Sequence, residues 1–379
     1  MRIATNVTRE YIGGLTRANV NFLDFFHGKE EGIIGIEINA RRHVNAPTIF
    51  QHLSSAWFNH HIVNVHDISI FDVARKSKTL KDVEKQYRPI INIIKEIFIK
   101  EKPDVIFLNG TYYIPWIISI AAHELKIPIV LRYAGIYSKE TEHMKPKFRK
   151  IFNAIEKSFQ KSVNYFIFPS QLCKNIVENE IIGKAIKKPT FIIPNSVNII
   201  TSEQIPIKSV ERRIAAIGRW DKIKNFQIFF KIHKELLKTH WRHEASFVTN
   251  EVKIKNAPKT IKIFAPMTHK ELFDFYSSQG LIICPSLFET FGNVAVEAAC
   301  IGIPVLVNEN MGCAEVLKMA GLENMVISFK NIKEVVERVK KLCGQQIMPK
   351  QMNNLKKFLN PKVINSEIMS ILRNAAENN

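Results

Sequence analysis

The sequence predicts an α/β protein made of two domains, each a doubly wound parallel sheet. Short segments rich in Val and Ile alternate with helical patterns, as parallel strands joined by crossover helices require. The 379 residues exceed what one hydrophobic core usually organises, since domains commonly hold about 100 to 200 residues. A stretch with Pro206 and no clean period, residues 198–211, separates two such series. We therefore expect two Rossmann-like domains, over residues 1–198 and 212–362.

The predicted strands follow from the apolar segments. In the first domain they are residues 2–7, 32–38, 61–65, 104–108, 127–131, 165–168 and 190–193. In the second domain they are residues 214–217, 246–249, 261–264, 281–284, 304–307 and 325–327. The clearest helix is predicted over residues 80–100, and a last helix over residues 363–376.

Residues 281–317 carry the strongest functional signal. An apolar strand ends at Pro285, and a helix begins after Phe291-Gly292-Asn293. The backbone N–H groups at the start of that helix have no partners within it, so they favour an anion such as phosphate. Glu297, one turn into the helix, is suited to accept hydrogen bonds from vicinal hydroxyls, and Glu289 lies on the loop beside the space for a sugar ring. This arrangement predicts a nucleotide-sugar site.

Three motifs resemble those of one enzyme family. The first is P-S-x-x-E-x-F-G-x-x-x-x-E-A from Pro285 to Ala298, followed by G-x-P-V and by Gly312-x-x-Glu315. The second is IAAIGRWDKIKNF at residues 214–226, and the third is FIIPNSV at residues 191–197. In order and spacing they resemble the retaining nucleotide-sugar glycosyltransferases of family 4 (glycosyl transferases group 1), which have the GT-B fold.

The resemblance implies two Rossmann-like domains with a cleft between them. The first binds the acceptor, the second binds the nucleotide sugar, and a helix at residues 363–379 returns to the first. It implies a metal-independent hexosyltransferase that uses a UDP- or GDP-sugar and a glycan or lipid-linked acceptor, in bacterial surface-polysaccharide or glycoconjugate synthesis. The implied catalytic residues are Arg219, Lys224 and Glu289. The implied donor-binding residues are Gly13, Gly14, Gly218, Phe291, Gly292, Asn293 and Glu297.

Electrostatics supports roles for Arg219 and Lys224. Cations are disfavoured near the positive start of a helix unless an anion neutralises them, which a bound diphosphate would do. No Asp-x-Asp occurs in the chain, which disfavours a metal-dependent transferase, and we expect no cofactor or catalytic metal. In the first domain, Gly13 and Gly14 follow the first strand, where paired glycines let a backbone approach a ligand closely or simply form a tight turn.

One position departs from the family pattern. Many members have a histidine where Leu131-Arg132-Tyr133-Ala134-Gly135 has Ala134. Arg132, Tyr133 and Asn109, at the ends of adjacent predicted strands, offer polar contacts instead. The departure leaves a second hypothesis open, in which the chain is a catalytically silent subunit that supports a partner glycosyltransferase.

The net charge of +19 raises other possibilities for partners. It is spread over both halves of the chain without a nucleic-acid-binding motif, so we expect no nucleic-acid partner, and a compositional bias towards Lys explains it equally well. Residues 139–162 form a predicted amphipathic helix with a phenylalanine-rich face and a lysine-rich face. Such a helix either lies on an anionic membrane surface or packs on a domain core.

Location and cysteine chemistry complete the sequence-based picture. No apolar run reaches the roughly 18 to 20 residues that span a bilayer, and the first residues lack a signal-peptide core, so we expect a cytoplasmic protein, peripheral on the inner membrane face if the basic helix binds lipid. The five cysteines form no C-x-x-C pair and are expected to be buried thiols. His60, His61 and His66 cluster without a carboxylate pattern and predict no metal site.

Overall fold

The computed structural model contains two compact units, and it describes residues 1–7, 22, 23, 25, 32–39, 58–64, 69–198, 212–251 and 253–378. The first unit comprises Met1–Ser196 with Pro361–Asn379, and the second comprises Val197–Asn360. The sequence placed the domain boundaries at residues 198, 212 and 362. Pro361 is the first residue of the last helix, two positions before the predicted start, because proline is well suited to the first turn of a helix.

The described part of the first unit contains a seven-stranded sheet in which neighbouring strands are parallel. Its strands are β1 (Arg2–Asn6), β2 (Gly32–Asn39), β3 (Phe58–Asn64), β4 (Val105–Asn109), β5 (Ile129–Arg132), β6 (Tyr165–Phe168) and β7 (Thr190–Ile192). Its helices are α1 (Ile70–Lys76), α2 (Leu80–Glu101), α3 (Tyr113–Glu124), α4 (Tyr137–Glu140), α5 (Pro146–Ser162) and α6 (Gln171–Ile176), with a π-helical turn at Val177–Ile182. The strand order is β3-β2-β1-β4-β5-β6-β7.

The described part of the second unit contains a six-stranded parallel sheet in the order β10-β9-β8-β11-β12-β13. Its strands are β8 (Arg213–Ile217), β9 (Glu244–Val248), β10 (Ile261–Phe264), β11 (Leu281–Cys284), β12 (Val305–Asn308) and β13 (Val326–Ile327). Its α-helices are α7 (Phe226–Lys238), α8 (His269–Ser277), α9 (Asn293–Cys300), α10 (Cys313–Met319), α11 (Ile332–Leu342) and α12 (Pro349–Phe358). Two 3-10 turns lie at Lys222–Lys224 and Glu323–Met325.

The predicted α/β architecture is confirmed, and each segment predicted as a strand contains one. The first β3 residue is Phe58 rather than the predicted residue 61, because the polar run Asn59-His60-His61 hides its strand pattern. Caps set the helix starts: Thr79 and Asp82 exchange side-chain-to-backbone hydrogen bonds at the start of α2, and Thr268 and Glu271 do so at α8.

The last helix, α13 (Pro361–Glu377), completes the core of the first unit. Its apolar stripe packs against the central strands, where Ile364 and Ile368 share a cluster with Ile3, Val105 and Phe107. All of these side chains are at most 2% exposed. Helix α13 is therefore an integral part of the first unit's hydrophobic core.

A chain of hydrogen bonds joins buried His233 to half-buried His243 in the second unit. His243 Nδ1 lies 2.8 Å from the Trp241 carbonyl, so Nδ1 carries the proton. In the neutral rings His233 Nδ1 donates to His243 Nε2 at 2.8 Å, and His233 Nε2 accepts from Thr260 Oγ1 at 2.7 Å. Each ring nitrogen therefore has a partner with both rings neutral. Burial lowers the pKa of His233 from 6.5 to about 4 and lowers the pKa of His243 in the same direction.

We predict that the second unit loses stability in mild acid. The unfolded histidines take up protons below about pH 6.5, whereas folded His233 stays neutral until about pH 4. The free energy of unfolding should therefore fall as pH decreases from 6.5 to 4. His233→Gln should flatten this dependence, and His240→Asn, a change at an exposed neighbour, should not. Denaturant unfolding at several pH values measures it, and equal slopes in all three proteins would contradict the assignment.

Candidate donor site in the second unit

The two strongest motifs meet at the carboxyl ends of adjacent strands. β8 and β11 pair in the middle of the second sheet, and the strand order runs outward in opposite directions from this pair. In open parallel sheets such a switch point leaves a crevice outside the strand ends, where ligands bind. The loop after β8 contains Gly218, Arg219 and Lys224, and the loop after β11 contains Glu289.

An ion pair joins these two loops. Lys224 Nζ lies 3.0 Å from Glu289 Oε2, with each side chain about one-fifth exposed (23% and 21%). Ser286 Oγ donates to the other carboxylate oxygen, Oε1, at 2.6 Å. The Leu287 N–H also donates to the Ile223 carbonyl at 2.8 Å. Glu289 therefore has both carboxylate oxygens engaged, and it neutralises Lys224.

Backbone contacts fix Glu289 from the third motif as well. The Gly312 N–H donates to the Glu289 carbonyl at 3.0 Å, and the Glu289 N–H donates to the Asn310 carbonyl at 3.3 Å. The Gly312-x-x-Glu315 motif therefore contributes here through its backbone, at the start of α10. Three loops converge on Glu289.

Arg219 is an exposed cation on the loop after β8. It follows Gly218, whose φ of +152° suits glycine and whose N–H continues the ladder to the Val248 carbonyl at 3.0 Å. Among the described residues Arg219 forms no ion pair or hydrogen bond. Its guanidinium therefore keeps its donors available to solvent or to an anion.

The start of α9 is shaped by a buried aromatic residue and a glycine. Phe291 is 1% exposed, and its carbonyl accepts from the Cys313 N–H at 2.7 Å. Gly292 has φ +110°, and a Cβ there would lie 2.7 Å from Met311 Cε and 2.9 Å from Cys313 Sγ. No side-chain hydrogen bond caps the helix, which begins at Asn293. The positive end of α9 therefore lacks a capping side chain.

Glu297 lies deeper than the sequence suggested. It is 4% exposed, and the Tyr276 hydroxyl on α8 donates to its Oε2 at 2.9 Å. Tyr276 was missed by the sequence reasoning because it falls on the apolar stripe of its helix with Leu272 and Phe273, like any core aromatic residue. The bond from Tyr276 orients the Glu297 carboxylate.

The predicted residues of the first unit have different surroundings. Gly13, Gly14 and His66 lie outside the described residues. Tyr133 is buried with its ring stacked on Phe168 at 4.8 Å, so it belongs to the core rather than to a polar surface. Asn109 and Arg132 are buried at the ends of paired strands, and Ala134 is half-buried on the loop that follows β5.

Glu156 organises that loop, and the sequence reasoning missed it. Its carboxylate, 1% exposed, accepts from the N–H groups of Tyr137 and Ser138 at 3.1 and 2.8 Å and from Thr111 Oγ1 at 2.7 Å. Burial raises the pKa of Glu156 to about 7, although these hydrogen bonds favour the charged form. The available signal was a glutamate four residues after Phe152, on the apolar face of α5.

The described residues contain neither a metal-binding cluster nor a membrane-spanning helix. No group of three or more His, Cys, Asp or Glu side chains in this part of the chain is arranged to hold a metal ion. None of its helices is both long and apolar enough to cross a membrane. The five cysteines are free, and four of them are buried.

Comparison with known proteins agrees with this geometry. Residues 200–357 match the family Glycosyl transferases group 1. An uncharacterized protein in the cps region of Klebsiella pneumoniae is 24% identical over 283 residues, which cover 70% of this chain and 75% of that protein. A D-inositol 3-phosphate glycosyltransferase of Catenulispora acidiphila is 37% identical over 67 residues, 18% of this chain and 16% of that protein.

Solved structures share the fold over almost the whole chain. Sucrose-phosphate synthase of Thermosynechococcus elongatus superimposes with a TM-score of 0.73 at 14% identity, covering 98% of each chain. The trehalose-6-phosphate synthase OtsA gives 0.68 at 11% identity, with 98% and 99% covered. An Escherichia coli trehalose-6-phosphate enzyme bound to UDP-2-fluoro glucose gives 0.64 at 10% identity, with 98% and 99% covered.

The chain has the GT-B fold that these solved structures share. The segment that matches the family Glycosyl transferases group 1, residues 200–357, lies in the second unit. The fold implied by the motifs is thereby confirmed, and this match agrees with the family that the motifs resemble.

We predict that Gly292→Ala destabilises the second unit by about 1 to 3 kcal/mol, because a side chain at its positive φ is strained and meets Met311 and Cys313. Gly32→Ala is the control, since a Cβ there would lie 3.7 Å from Arg2 Cγ and the backbone is extended. Denaturant unfolding of both variants measures the difference. A Gly292→Ala protein as stable as the parent would contradict the packing described for this loop.

Proposed function

We propose that the chain is a retaining, metal-independent glycosyltransferase that transfers a sugar from a UDP- or GDP-sugar to a glycan or lipid-linked acceptor. The observation that carries the proposal is the junction of the two motif loops at the β8–β11 switch point. There an exposed arginine, a lysine held by Glu289 and the uncapped start of α9 lie on elements that the sheet brings together. This supply of positive charge suits a nucleoside diphosphate.

The chemistry requires that negative charge be stabilised on the leaving group. As the bond between the sugar C1 and the diphosphate oxygen breaks, its electron pair stays on the diphosphate. The acceptor hydroxyl oxygen forms the new bond to C1, and its proton passes to the departing diphosphate. Arg219, Lys224 and the positive end of α9 offset this charge without a metal ion. Donor binding exchanges the Lys224–Glu289 contact for a Lys224–phosphate contact, which frees Glu289 to accept hydrogen bonds from sugar hydroxyls.

The remaining donor contacts follow from the same arrangement. The Glu297 carboxylate, oriented by Tyr276, accepts hydrogen bonds from the ribose hydroxyls. The backbone at Gly218, Phe291, Gly292 and Asn293 lines the nucleotide. The family resemblance assigns Gly13 or Gly14, which follow β1 in the sequence, to contact with the donor diphosphate or the acceptor.

The biological setting proposed is bacterial surface-polysaccharide or glycoconjugate synthesis in the cytoplasm. The relative from Klebsiella pneumoniae is described as a protein of a cps region, which supports this setting. The alternative is a catalytically silent subunit that supports a partner glycosyltransferase, and Ala134, at the position of the family histidine, favours it. The presence of all four motif residues at the switch point favours the enzyme: Arg219, Lys224, Glu289 and Glu297.

Substitutions should show that the cations of the proposed donor site affect activity and that a neighbouring lysine does not. Charge-assisted hydrogen bonds contribute about 1.5 to 3 kcal/mol each, so Arg219→Ala and Lys224→Ala should each lower turnover about tenfold to more than a hundredfold. Glu297→Ala should weaken nucleotide affinity by a similar factor. Lys222→Ala, exposed in the same 3-10 turn as Lys224, is the matched control. Parent-like binding and turnover in the Arg219→Ala, Lys224→Ala and Glu297→Ala proteins would refute the proposed site.

A nucleotide-sugar screen tests the activity itself. Purified protein is incubated with UDP- and GDP-sugars and candidate acceptors, and released UDP or GDP is measured with and without excess EDTA. We expect release from one donor to persist in EDTA, with the anomeric configuration of the product, read by NMR, the same as in the donor. Loss on chelation that manganese restores would contradict metal independence. Inversion would contradict retention, and no release from any donor would favour the silent subunit.

The basic face of α5, and not its buried apolar stripe, is available to a membrane surface. Ile151, Phe152, Ile155 and Phe159 are buried in the core, which supports the core-packing alternative for this stripe. Lys147, Arg149 and Lys150 remain exposed on the other face. We propose that this face attracts anionic lipid electrostatically, so that the enzyme is peripheral on the inner face of the membrane.

Charge reversal on α5 tests this attraction. Each basic side chain near an anionic surface contributes about 1 kcal/mol, and salt screens the attraction over about 8 to 10 Å. The parent should sediment with acidic liposomes and be released as salt rises. Lys147→Glu/Arg149→Glu/Lys150→Glu should lose binding, whereas Lys330→Glu/Lys333→Glu/Lys341→Glu, an equal charge change at exposed lysines of the second unit, should not. Equal loss in both triple variants would mean that only net charge matters.

A further inference from the structure

The first unit contains a buried guanidinium without a counter-ion among the described residues. Arg132, the last residue of β5, is 2% exposed. Its Nη2 donates to Asn195 Oδ1 at 2.9 Å and to the Pro194 carbonyl at 3.2 Å, and both acceptors are neutral. Its Nε is buried and has no acceptor. Burial lowers the pKa of Arg132 to about 10, which still leaves it charged at neutral pH.

Asn109 presents a second set of unsatisfied groups beside it. Asn109 and Arg132 are directly opposed on the paired strands β4 and β5, so their side chains lie on the same face of the sheet. The Asn109 backbone exchanges hydrogen bonds with the Asn6 side chain, at 2.8 and 3.0 Å. Its side-chain amide is buried, and neither Nδ2 nor Oδ1 has a partner.

Thr5 adds a third unpaired group on this face. Thr5 is opposite Phe107 in the β1–β4 register, two residues before Asn109, and its buried Oγ1 has no partner. The order of the first sheet reverses between β1 and β4, so these groups lie at its switch point. Donors from three neighbouring strands are therefore gathered where parallel sheets bind ligands.

An uncompensated charge inside a protein is costly, and buried polar groups are normally paired. A carboxylate beside Arg132 would neutralise its charge, as Glu289 neutralises Lys224. The acceptors that contact Arg132 are instead a backbone carbonyl and an amide oxygen. Within the described part of the chain, three donors have no acceptor: the Arg132 Nε–H, the Asn109 amide N–H and the Thr5 hydroxyl. Each of them can donate to an oxyanion. Such an oxyanion would neutralise the Arg132 charge and accept hydrogen bonds from these donors.

We propose that Arg132, Asn109 and Thr5 form a binding site in the first unit for an oxyanion, a phosphate or carboxylate group carried by the substrate. That its carrier is the glycosyl acceptor rests on the proposed function, whereas the anion site itself does not. The alternative role for Arg132 is purely structural, as a tie from β5 to the Pro194-Asn195 segment after β7.

Anion binding to the full chain distinguishes these roles. The measurement uses an Arg219→Ala/Lys224→Ala background, so that the proposed donor cations of the second unit do not contribute. Inorganic phosphate and glucuronate are titrated separately by calorimetry. Saturable binding of phosphate identifies a phosphate site, and binding of glucuronate alone identifies a carboxylate site. Failure of both probes to bind would overturn the proposal.

Substitutions assign the binding to this cluster. Two substitutions should each weaken anion binding at least tenfold, the effect of losing one charge-assisted hydrogen bond. Arg132→Met removes the charge at similar volume, and Asn109→Asp adds a negative charge. Arg75→Met, exposed on α1 of the same unit, is the control and should bind like the background. Unchanged affinity in the Arg132→Met and Asn109→Asp proteins would overturn the proposal. Should Arg132→Met fail to fold, Asn109→Asp alone decides.

Two separate measurements test the anion site and the proposed glycosyltransferase activity independently. Anion binding is measured without a donor and without transfer, so its absence contradicts only the anion site. Donor hydrolysis by the parent chain is measured separately, and its absence contradicts only the proposed function. If both proposals hold, the enzyme should glycosylate acceptors that carry the anion identified by calorimetry at least tenfold faster than their neutral analogues. Equal rates would refute the assignment of the anion to the acceptor.

Discussion

The pairing of β8 with β11 is the constraint on which the candidate donor site depends. In a parallel sheet every strand ends at the same edge, so two adjacent strands far apart in sequence deliver their following loops to one place. Here they deliver a cationic loop and an acidic loop. The resulting Lys224–Glu289 contact exists because the sheet brings these two loops together.

The charged groups of the two units differ in how the fold satisfies them. In the second unit the partly exposed Glu289 is contacted by a lysine, a serine hydroxyl and two backbone groups, so its charge is balanced within the fold. In the first unit Glu156 is balanced by two backbone N–H groups and a hydroxyl, whereas Arg132 has only neutral acceptors. A charge satisfied by its own fold organises a loop, and a charge left without a counter-ion is a candidate for binding.

The strands and the donor-site motifs were predictable from the sequence because both are local patterns. Apolar segments such as residues 281–284 identify strands wherever turn residues bound them, and the spacing of Glu289 and Glu297 lies within one loop and helix. The missed contacts are non-local. Tyr276 and Glu297 meet through packing of two helices, and Arg132 reaches Asn195 across 63 positions. Only a buried environment separates such residues from ordinary core or surface ones.

The position of α13 has a consequence for the order in which the chain folds. Residues 361–377 supply Ile364, Ile368 and Leu372 to the core built on β1 and β4, with the whole second unit inserted between them in sequence. During synthesis the second unit can therefore fold as soon as it emerges, while the sheet of the first unit keeps an uncovered apolar face until the last helix arrives. The unit made first is the one finished last, and it is exposed to chaperones and to aggregation for longer.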